Sequence, residues 1–288
     1  MEGRKINGIT PQTTYYKNGS SFDIKAASLY SATIHVDQCV VCFGISNPKT
    51  GEILNIERFE LDMKISDEGL VKMLTEGKWK SILSNSSKNQ FFCTESRFSL
   101  IPSAFFDVKE IKELCSPVFK VQEGEEIISH HISEIDAHIV FPFSSDLKNS
   151  IKSKIGHTEF SHQFAPLLAT YNLYYLDSDK EMAFIQFNEK TFSLALFQNK
   201  RLVLFNNYNF NSFEDVVYYT YYAIEQYGFM PASISLHMGG YTPFIKEITT
   251  AFQKYTQHIY HISPKNIENL NPENSDKLIN TIFDLQCG

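Results

Sequence analysis

Short turns between apolar strands hold the residues of this chain with the clearest potential for phosphate chemistry. The run FIQFNEKTFSLALFQNKRLVLFNNY (184–208) predicts three strands joined by two tight turns, and the first turn carries Glu189, Lys190 and Thr191. A cation and a hydroxyl bind phosphate oxygens, while a carboxylate holds magnesium and water. A polar two-residue hairpin turn contains the same residue types, and we favour this simpler interpretation.

The sequence MGGYTP offers a second candidate anion site. Gly239 and Gly240 follow the predicted strand SISLH, and Thr242 is placed to cap the helix that comes next. Glycine lets a ligand approach the backbone, and a helix N-terminus attracts anions through its partial positive charge. An ordinary strand-to-helix turn predicts the same residues, because a glycine pair is a common turn signal.

The spacing of cysteines and histidines predicts no metal centre and no set of catalytic residues. Cys39 and Cys42 form a C-x-x-C motif within CVVCFGI, where strand alternation directs them to opposite faces. The histidine pairs at 130–131 and 258–261 face opposite ways for the same reason. The five cysteines are an odd number and widely spaced, so we expect them to be reduced.

The order of elements that must position these turns occurs twice. Three strand-like runs at 28–36, 38–46 and 52–61 precede a helix that Ser66 caps, and RFSLIP, DVKEIKELC, EEIISHHISEIDAHIVF and SSDLKNSIKSKI continue as strand, helix, strand and helix. Three strands within 182–208 precede a helix at 212–227, after which strand, helix, strand and helix follow. The sequence therefore predicts an α/β protein with mixed sheets in two related halves, with insertions in the first.

Domain limits follow from this repeat. We predict a polar N-terminal segment at 1–24, a first half at 25–155, a connecting segment at 156–181 and a second half at 182–288.

The helix at 212–227 carries more aromatic side chains than one sheet contact requires. Its helical spacing predicts one buried stripe, formed by Phe213, Val216, Val217, Thr220, Ala223, Ile224 and Tyr227. Tyr218 and Tyr222 point nearly opposite that stripe, where a solvated helix more often carries Lys and Glu. We predict a second contact for these two tyrosines, either inside the protein or with a partner protein; the internal contact is the simpler alternative.

Composition excludes several classes of protein. The formal net charge of -7 and the pI near 5.7 argue against a general nucleic-acid coat or a polybasic membrane patch. The first residues lack the apolar core of a signal peptide, and no run of 18 apolar residues occurs. We therefore expect a cytoplasmic protein without membrane insertion, whose oligomeric state the sequence leaves open.

The segment LFNNYNFNSFEDVVYYTYYAIEQYGF (204–229) and the later ISLHMGGYTPF resemble a bacterial family known as domain of unknown function 3822. That family is assigned to the actin-like ATPase fold, in which two ribonuclease-H-like halves clasp a nucleotide. The resemblance implies this duplicated fold for the whole chain. Its specific motifs cover only about residues 184–245.

The resemblance also implies where a nucleotide would bind. In active members of the fold, the first hairpin turn of each half carries an acid and a glycine followed by small hydroxyl residues. The corresponding turns here, IHVDQCVV and IQFNEKTFS, contain no glycine. The implied cleft is therefore degenerate and would consist of Asp37, Glu189, Lys190, Thr191, Gly239, Gly240 and Thr242.

These observations favour a catalytically silent, actin-like scaffold or interaction module with no cofactor. A divergent ATPase or kinase that uses ATP and magnesium in the interdomain cleft is the alternative, and a small-molecule sensor is a third possibility.

Overall fold

A computed structural model describes residues 13–16, 24–37, 39–176, 180–188, 190–262 and 272–286. The chain divides into two compact units, whose main parts are Met1–Leu167 and Leu168–Lys265.

The first unit is built on a six-stranded mixed sheet and a separate three-stranded sheet. Its strands are β1 (Thr13–Tyr16), β2 (Ser31–Asp37), β3 (Val40–Asn47), β4 (Glu52–Glu60), β5 (Lys88–Cys93), β6 (Ser99–Pro102), β7 (Glu125–Ile132), β8 (Ala137–Ser144) and β9 (Thr158–His162). Its helices are α1 (Asp67–Thr75), α2 (Gly77–Leu83), α3 (Ile111–Cys115) and α4 (Ser145–Ile155), with short 3-10 helices at Ile24–Leu29, Ser103–Phe105 and Ser133–Ile135. The α5 helix (Phe164–Leu176) follows β9, and its larger part, from Leu168 on, belongs to the second unit.

The large sheet of the first unit has the order β1-β4-β3-β2-β5-β9, in which β2, β5 and β9 are parallel. The antiparallel sheet β6-β8-β7 is inserted between β5 and β9. The core against the large sheet contains Trp79, which is fully buried, stacks on Phe43 at 4.4 Å and donates its indole N–H to the Glu57 carboxylate at 3.1 Å. A buried aromatic with a polar group needs such an acceptor, and Glu57 supplies it.

The second unit contains a five-stranded mixed sheet. Its strands are β10 (Met182–Asn188), β11 (Thr191–Gln198), β12 (Arg201–Asn209), β13 (Ser235–Tyr241) and β14 (His258–His261), in the order β12-β11-β10-β13-β14. Its helices are α6 (Phe213–Gln226) and α7 (Ile245–Phe252), and α8 (Pro272–Gln286) follows at the end of the chain. β10, β13 and β14 are parallel, while β11 is antiparallel to both of its neighbours.

The two large sheets share their strand order and several local details. The order β4-β3-β2-β5-β9 in the first unit matches the order β12-β11-β10-β13-β14 in the second, strand for strand. The first unit has β1 as an additional strand beside β4. The register shifts at corresponding places, between Ile45 and Ser46 and between Leu196 and Phe197. The fold class predicted from the sequence, two related halves with mixed sheets, is confirmed.

Several elements of the first unit differ from their prediction. The sequence suggested RFSLIP (97–102) and the run 125–141 as the strands that follow the first three, but both belong to the inserted sheet. The strands that complete the large sheet are β5 and β9. The run 125–141 is a hairpin of two strands, β7 and β8, and the first predicted strand begins only at Ser31. The range 156–181, expected to connect the halves, contains β9 and α5.

Candidate functional site

The first hairpin turn of the second unit joins β10 to β11, as the sequence predicts. Lys190 is exposed and Thr191 is half-buried, and the Thr191 hydroxyl donates to the Asn188 carbonyl at 3.4 Å. The Lys190 carbonyl accepts from the Phe210 N–H at 3.0 Å, which fixes the turn against the end of β12. Glu189 lies outside the described residues. Lys190 and Thr191 are therefore on a tight, internally bonded turn.

The predicted glycine turn lies beside this hairpin, because Asn188 is paired with Tyr241 across the parallel strands β10 and β13. Both strands end at this edge, which is where ligands bind in many sheets with parallel strands. Gly239 and Gly240 belong to β13 itself rather than to a loop after it. Thr242 is buried, and its hydroxyl accepts from the Phe244 N–H at 3.3 Å just before α7.

The Gln186 side chain of β10 occupies the space next to both glycines. A Cβ atom at Gly239 would lie 2.8 Å from the Gln186 Oε1, and one at Gly240 would lie 2.2 Å from the Phe187 carbonyl oxygen. Gly240 also has a φ of +79°, which disfavours other residues. The two glycines thus allow strand β10 and its glutamine to approach closely, which is a packing requirement independent of any ligand.

Gln186 is held by a buried polar network. The Tyr171 hydroxyl donates to the Gln186 Oε1 at 3.2 Å, and the Gln186 Nε2 donates to the Asn280 Oδ1 at 3.0 Å. Burial raises the pKa of the Tyr171 phenol well above its ordinary value, so the hydroxyl remains a donor. The sequence pattern did not indicate this network.

Asp37 lies in the first unit, at the carboxyl end of β2, and is half-buried. It is paired with Val40, the first residue of the next strand, as Asn188 is paired with Thr191. The Leu61 N–H donates to the Cys39 carbonyl at 2.7 Å, which repeats the bond from Phe210 to Lys190. Asn188, rather than Glu189, is therefore the structural counterpart of Asp37.

These positions limit what the turns can do chemically. Asp37 places a carboxylate at the end of β2, whereas Asn188 places a neutral amide at the end of β10. The described turn residues of the second unit offer an ammonium and hydroxyls, which bind anions, but no carboxylate for magnesium. The described residues contain no group of three or more His, Cys, Asp or Glu side chains placed to hold a metal ion.

The α6 helix presents exposed tyrosines on its outer side. Tyr218 is 63% exposed and Tyr222 is 53% exposed, one turn apart, and their rings stack at 6.0 Å. Tyr219 meets the Tyr218 ring at 5.5 Å and stacks on Tyr208 of β12 at 5.0 Å. We call Tyr218, Tyr219 and Tyr222 the tyrosine face.

The rest of α6 follows the predicted pattern with one exception. Val216, Thr220, Ala223 and Ile224 are buried, as expected for the inner stripe. Tyr227 was assigned to that stripe but is 42% exposed, because the helix ends at Gln226. The Asp215 carboxylate accepts from the Ser212 N–H at 3.1 Å at the start of the helix.

Acidic residues accompany the tyrosine face. Glu214 and Glu225 on α6 are exposed, and α6 contains no lysine or arginine. The outer side of the helix therefore combines aromatic rings with negative charge.

A groove of about 460 Å³ lies elsewhere, between α1 and α4 of the first unit. Val71 and Leu147 form its apolar part, and charges of both signs, including Lys72 and Asp146, line it. It contains none of the predicted site residues. None of the described helices combines the length and the apolar character needed to cross a membrane.

The chain matches one protein family over most of its length. The family model described as "Protein of unknown function (DUF3822)" matches residues 19–261. No curated protein matches the chain.

Solved structures resemble the chain in fold. A Bacteroides thetaiotaomicron protein, described as having an actin-like ATPase fold and unknown function, has a TM-score of 0.80 at 17% identity, covering 93% of this chain and 100% of that one. The PilM-PilN type IV pilus biogenesis complex contains a chain with a TM-score of 0.55 at 9% identity, covering 90% of this chain and 99% of that one. The structural likeness establishes the actin-like ATPase fold. Because the sequence identities are below 25%, it shows the fold alone.

Proposed function

We propose a function for this chain from the premise that it belongs to DUF3822, a family of proteins of unknown function. The chain acts as a cytoplasmic interaction module of the actin-like fold, which binds a protein partner through its tyrosine face and does not turn over ATP. The observation that carries this proposal is the exposure of Tyr218 and Tyr222 as a stacked pair.

Exposed tyrosines on consecutive helical turns suit a protein interface. Tyrosine buries a large apolar area while its hydroxyl keeps a polar contact, and it is enriched among the residues that dominate binding energy. Packing against Tyr219, and through it Tyr208, restricts the motion of these rings, so binding costs less side-chain entropy.

The charge of the surface indicates the chemistry of the partner. Because Glu214 and Glu225 flank the rings and α6 has no basic residue, a partner surface with arginine or lysine fits best. Such cations would pair with the carboxylates and stack on the tyrosine rings. A chain with the same overall fold in the PilM-PilN complex is part of a protein assembly, which is consistent with this role.

The absence of ATP turnover is proposed on the basis of the turns. Asn188 stands where the first unit has Asp37, neither turn contains a glycine, and Gln186 fills the space beside Gly239 and Gly240. A phosphate would then lack both a cradle of backbone amides and a matched pair of carboxylates.

A divergent ATPase or kinase remains the alternative, favoured by the carboxylate of Asp37 at the end of β2. Measuring ATP hydrolysis by the purified chain tests it directly. We expect no rate above background, and turnover that Asp37→Ala abolishes would overturn the proposal of a silent module.

Site-specific photo-crosslinking in cells tests the interface. A photoreactive amino acid at position 218 or 222 should give one discrete crosslinked protein, whereas the same amino acid at Tyr260, which is 47% exposed on β14, should not. Tyr218→Ser with Tyr222→Ser should weaken the captured complex at least about tenfold while preserving the melting temperature. Equal crosslinking at position 260, or a folded double variant that retains full binding, would contradict the tyrosine face as the interface.

A further inference from the structure

The outer edge of the second sheet differs from the corresponding edge of the first. In the first unit β1 pairs antiparallel with β4, opposite residues 55–58. The corresponding strand of the second unit, β12, pairs with β11 alone in the part of the chain that the structure describes. β4 is largely buried, whereas the residues of β12 are exposed or half-exposed along the whole strand.

Apart from a register shift at Val203, β12 lacks the features that protect the other sheet edges. It is nine residues long, whereas the edge strands β1, β6, β9 and β14 in the described ranges have four or five. β7 has eight residues but carries Glu125, Glu126 and two histidines. β12 contains no proline, and its single charged residue is Arg201 at one end. Long, uncharged strand edges pair readily with another strand, and natural proteins usually shorten, charge or cover them.

We infer that two copies of this chain associate through β12, which pairs antiparallel with β12 of the second copy and joins two five-stranded sheets into one. This inference goes beyond the proposed function and does not depend on it, since Tyr218 and Tyr222 lie on α6.

The charge distribution of β12 favours a second copy as the occupant. In an antiparallel pair related by a two-fold axis, the two Arg201 side chains lie at opposite ends of the paired strands and do not face each other. Like charges therefore do not oppose this pairing, and a second β12 brings no charge other than Arg201 to the strand.

The side-chain pattern also specifies a register. Leu204 and Tyr208 both pack against the core on the α6 side of the sheet. A two-fold axis at Asn206 places Leu204 of one copy opposite Tyr208 of the other, on both sides of the axis. These pairs extend the apolar side of the sheet across the dimer, and aromatic–aliphatic pairs stabilise neighbouring strands. Asn206 lies exposed at this axis, with its Oδ1 accepting from the Asn207 N–H at 2.8 Å.

Charge substitutions at the axis test this inference. Asn206→Lys places two ammonium groups opposite each other in the dimer but is tolerated in a monomer, because the side chain is exposed. Sedimentation velocity of the full chain across the micromolar range should show a wild-type dimer, and Asn206→Lys should raise the dissociation constant about tenfold or more. Asn206→Glu should have the same effect. An equimolar mixture of Asn206→Lys and Asn206→Glu should restore dimers, because opposite charges then face each other.

A control and a fold check complete the experiment. Gln253→Lys adds the same charge at an exposed position after α7, outside the paired strand, and should leave the dimer intact. The melting temperature of each variant reports folding. A wild-type chain that stays monomeric throughout the range, or a folded Asn206→Lys variant that dimerises as the wild type does, would overturn the inference. A Tyr218→Ser/Tyr222→Ser variant should still dimerise, which separates this result from the test of the tyrosine face.

Discussion

The first unit closes the edge of its sheet with β1, whereas the second unit, among the described residues, ends its sheet at β12. The corresponding strands β4 and β12 also differ in their charged residues. β4 carries Glu52, Glu57, Arg58 and Glu60, while β12 carries only Arg201. The common strand order therefore constrains the backbone but leaves each edge strand free to acquire a separate role.

The strand that lies parallel beside the first hairpin strand, β13 in the second unit and β5 in the first, also differs between the units. Gly240 of β13 is paired with Phe187, the next-to-last residue of β10, and Cys93 of β5 is paired with Val36, the next-to-last residue of β2. The same sheet position therefore carries a glycine at positive φ in one unit and a side chain in the other. The glycine is explained by the close approach of β10, so a glycine in this part of the fold is not by itself a sign of nucleotide binding.

The largest expected effect concerns this glycine. Gly240→Ala should lower the free energy of unfolding by about 3 kcal/mol or more, because its Cβ would overlap the Phe187 carbonyl oxygen at a positive φ. The control is Gly228→Ala, which has a φ of +74° but no atom within 4 Å and should cost only about 1 kcal/mol. Urea unfolding followed by circular dichroism measures both, and equal losses would show that the close approach is not the cause.

A buried histidine in each unit gives the second comparison. Burial lowers the pKa of His162 in the first unit and of His237 in the second to about 4. The His162 ring accepts from the Phe164 N–H through Nδ1 at 3.2 Å and contacts the Glu95 carbonyl through Nε2 at 2.8 Å. The His237 ring stacks between Phe184 and Tyr260, and its buried Nε2 has no hydrogen-bond partner in the described part of the chain.

His162→Phe should cost about 2 kcal/mol at pH 7, because it removes the imidazole that binds the buried Phe164 N–H and the half-buried Glu95 carbonyl. His237→Phe should change stability by less than about 0.5 kcal/mol there, because it removes a polar atom that has no partner. Urea titrations of both variants and of the wild type check these values. If the two substitutions cost the same, the hydrogen bonds of His162 do not account for the difference.

The lowered pKa values of these histidines predict how the stability of the protein changes with pH. A histidine whose folded pKa lies below its unfolded value of about 6.5 binds fewer protons when folded, so stability falls as the pH drops from about 6.5 towards 4. For fully buried His162 the loss over this window should approach about 3 kcal/mol. His162→Phe should remove that part of the acid sensitivity, which comparing unfolding at pH 7 and pH 4.5 would measure.

The sequence predicted the second unit more accurately than the first for a physical reason. The strands of the second unit are long apolar runs separated by clear turns, and they follow one another in the order that the sheet needs. In the first unit the short strand β5, KNQFFC, was missed, and the inserted strand β6 was read as the fourth strand. Local pattern cannot decide which of two short strands joins a sheet, because that choice depends on pairing between distant segments.

The candidate site shows the same limit. The hairpin turns and the glycine pair were recognisable from residue type, but the Gln186 network was not, since it depends on how β10, β13, α5 and α8 pack. The match of Asp37 with Asn188 also required the structure, because a shift of one residue in a turn changes which side chain ends the strand.

The smallest expected effects concern the helix that follows the third hairpin strand in each unit, because the two helices begin with different bonds. The Ser66 hydroxyl accepts from the Gly69 N–H at 3.1 Å before α1, whereas the Asp215 carboxylate in α6 accepts from both the Asn211 and the Ser212 N–H groups, at 2.8 and 3.1 Å. Ser66→Ala should cost about 1 kcal/mol, the usual value of a lost N-cap, and Asp215→Ala somewhat more, because it leaves two donors without acceptors. Asp215→Asn keeps an acceptor oxygen and should recover most of the loss. Thermal unfolding of the three variants measures these values, and a cost for Asp215→Ala no larger than that for Ser66→Ala would mean that water replaces the carboxylate at the start of α6.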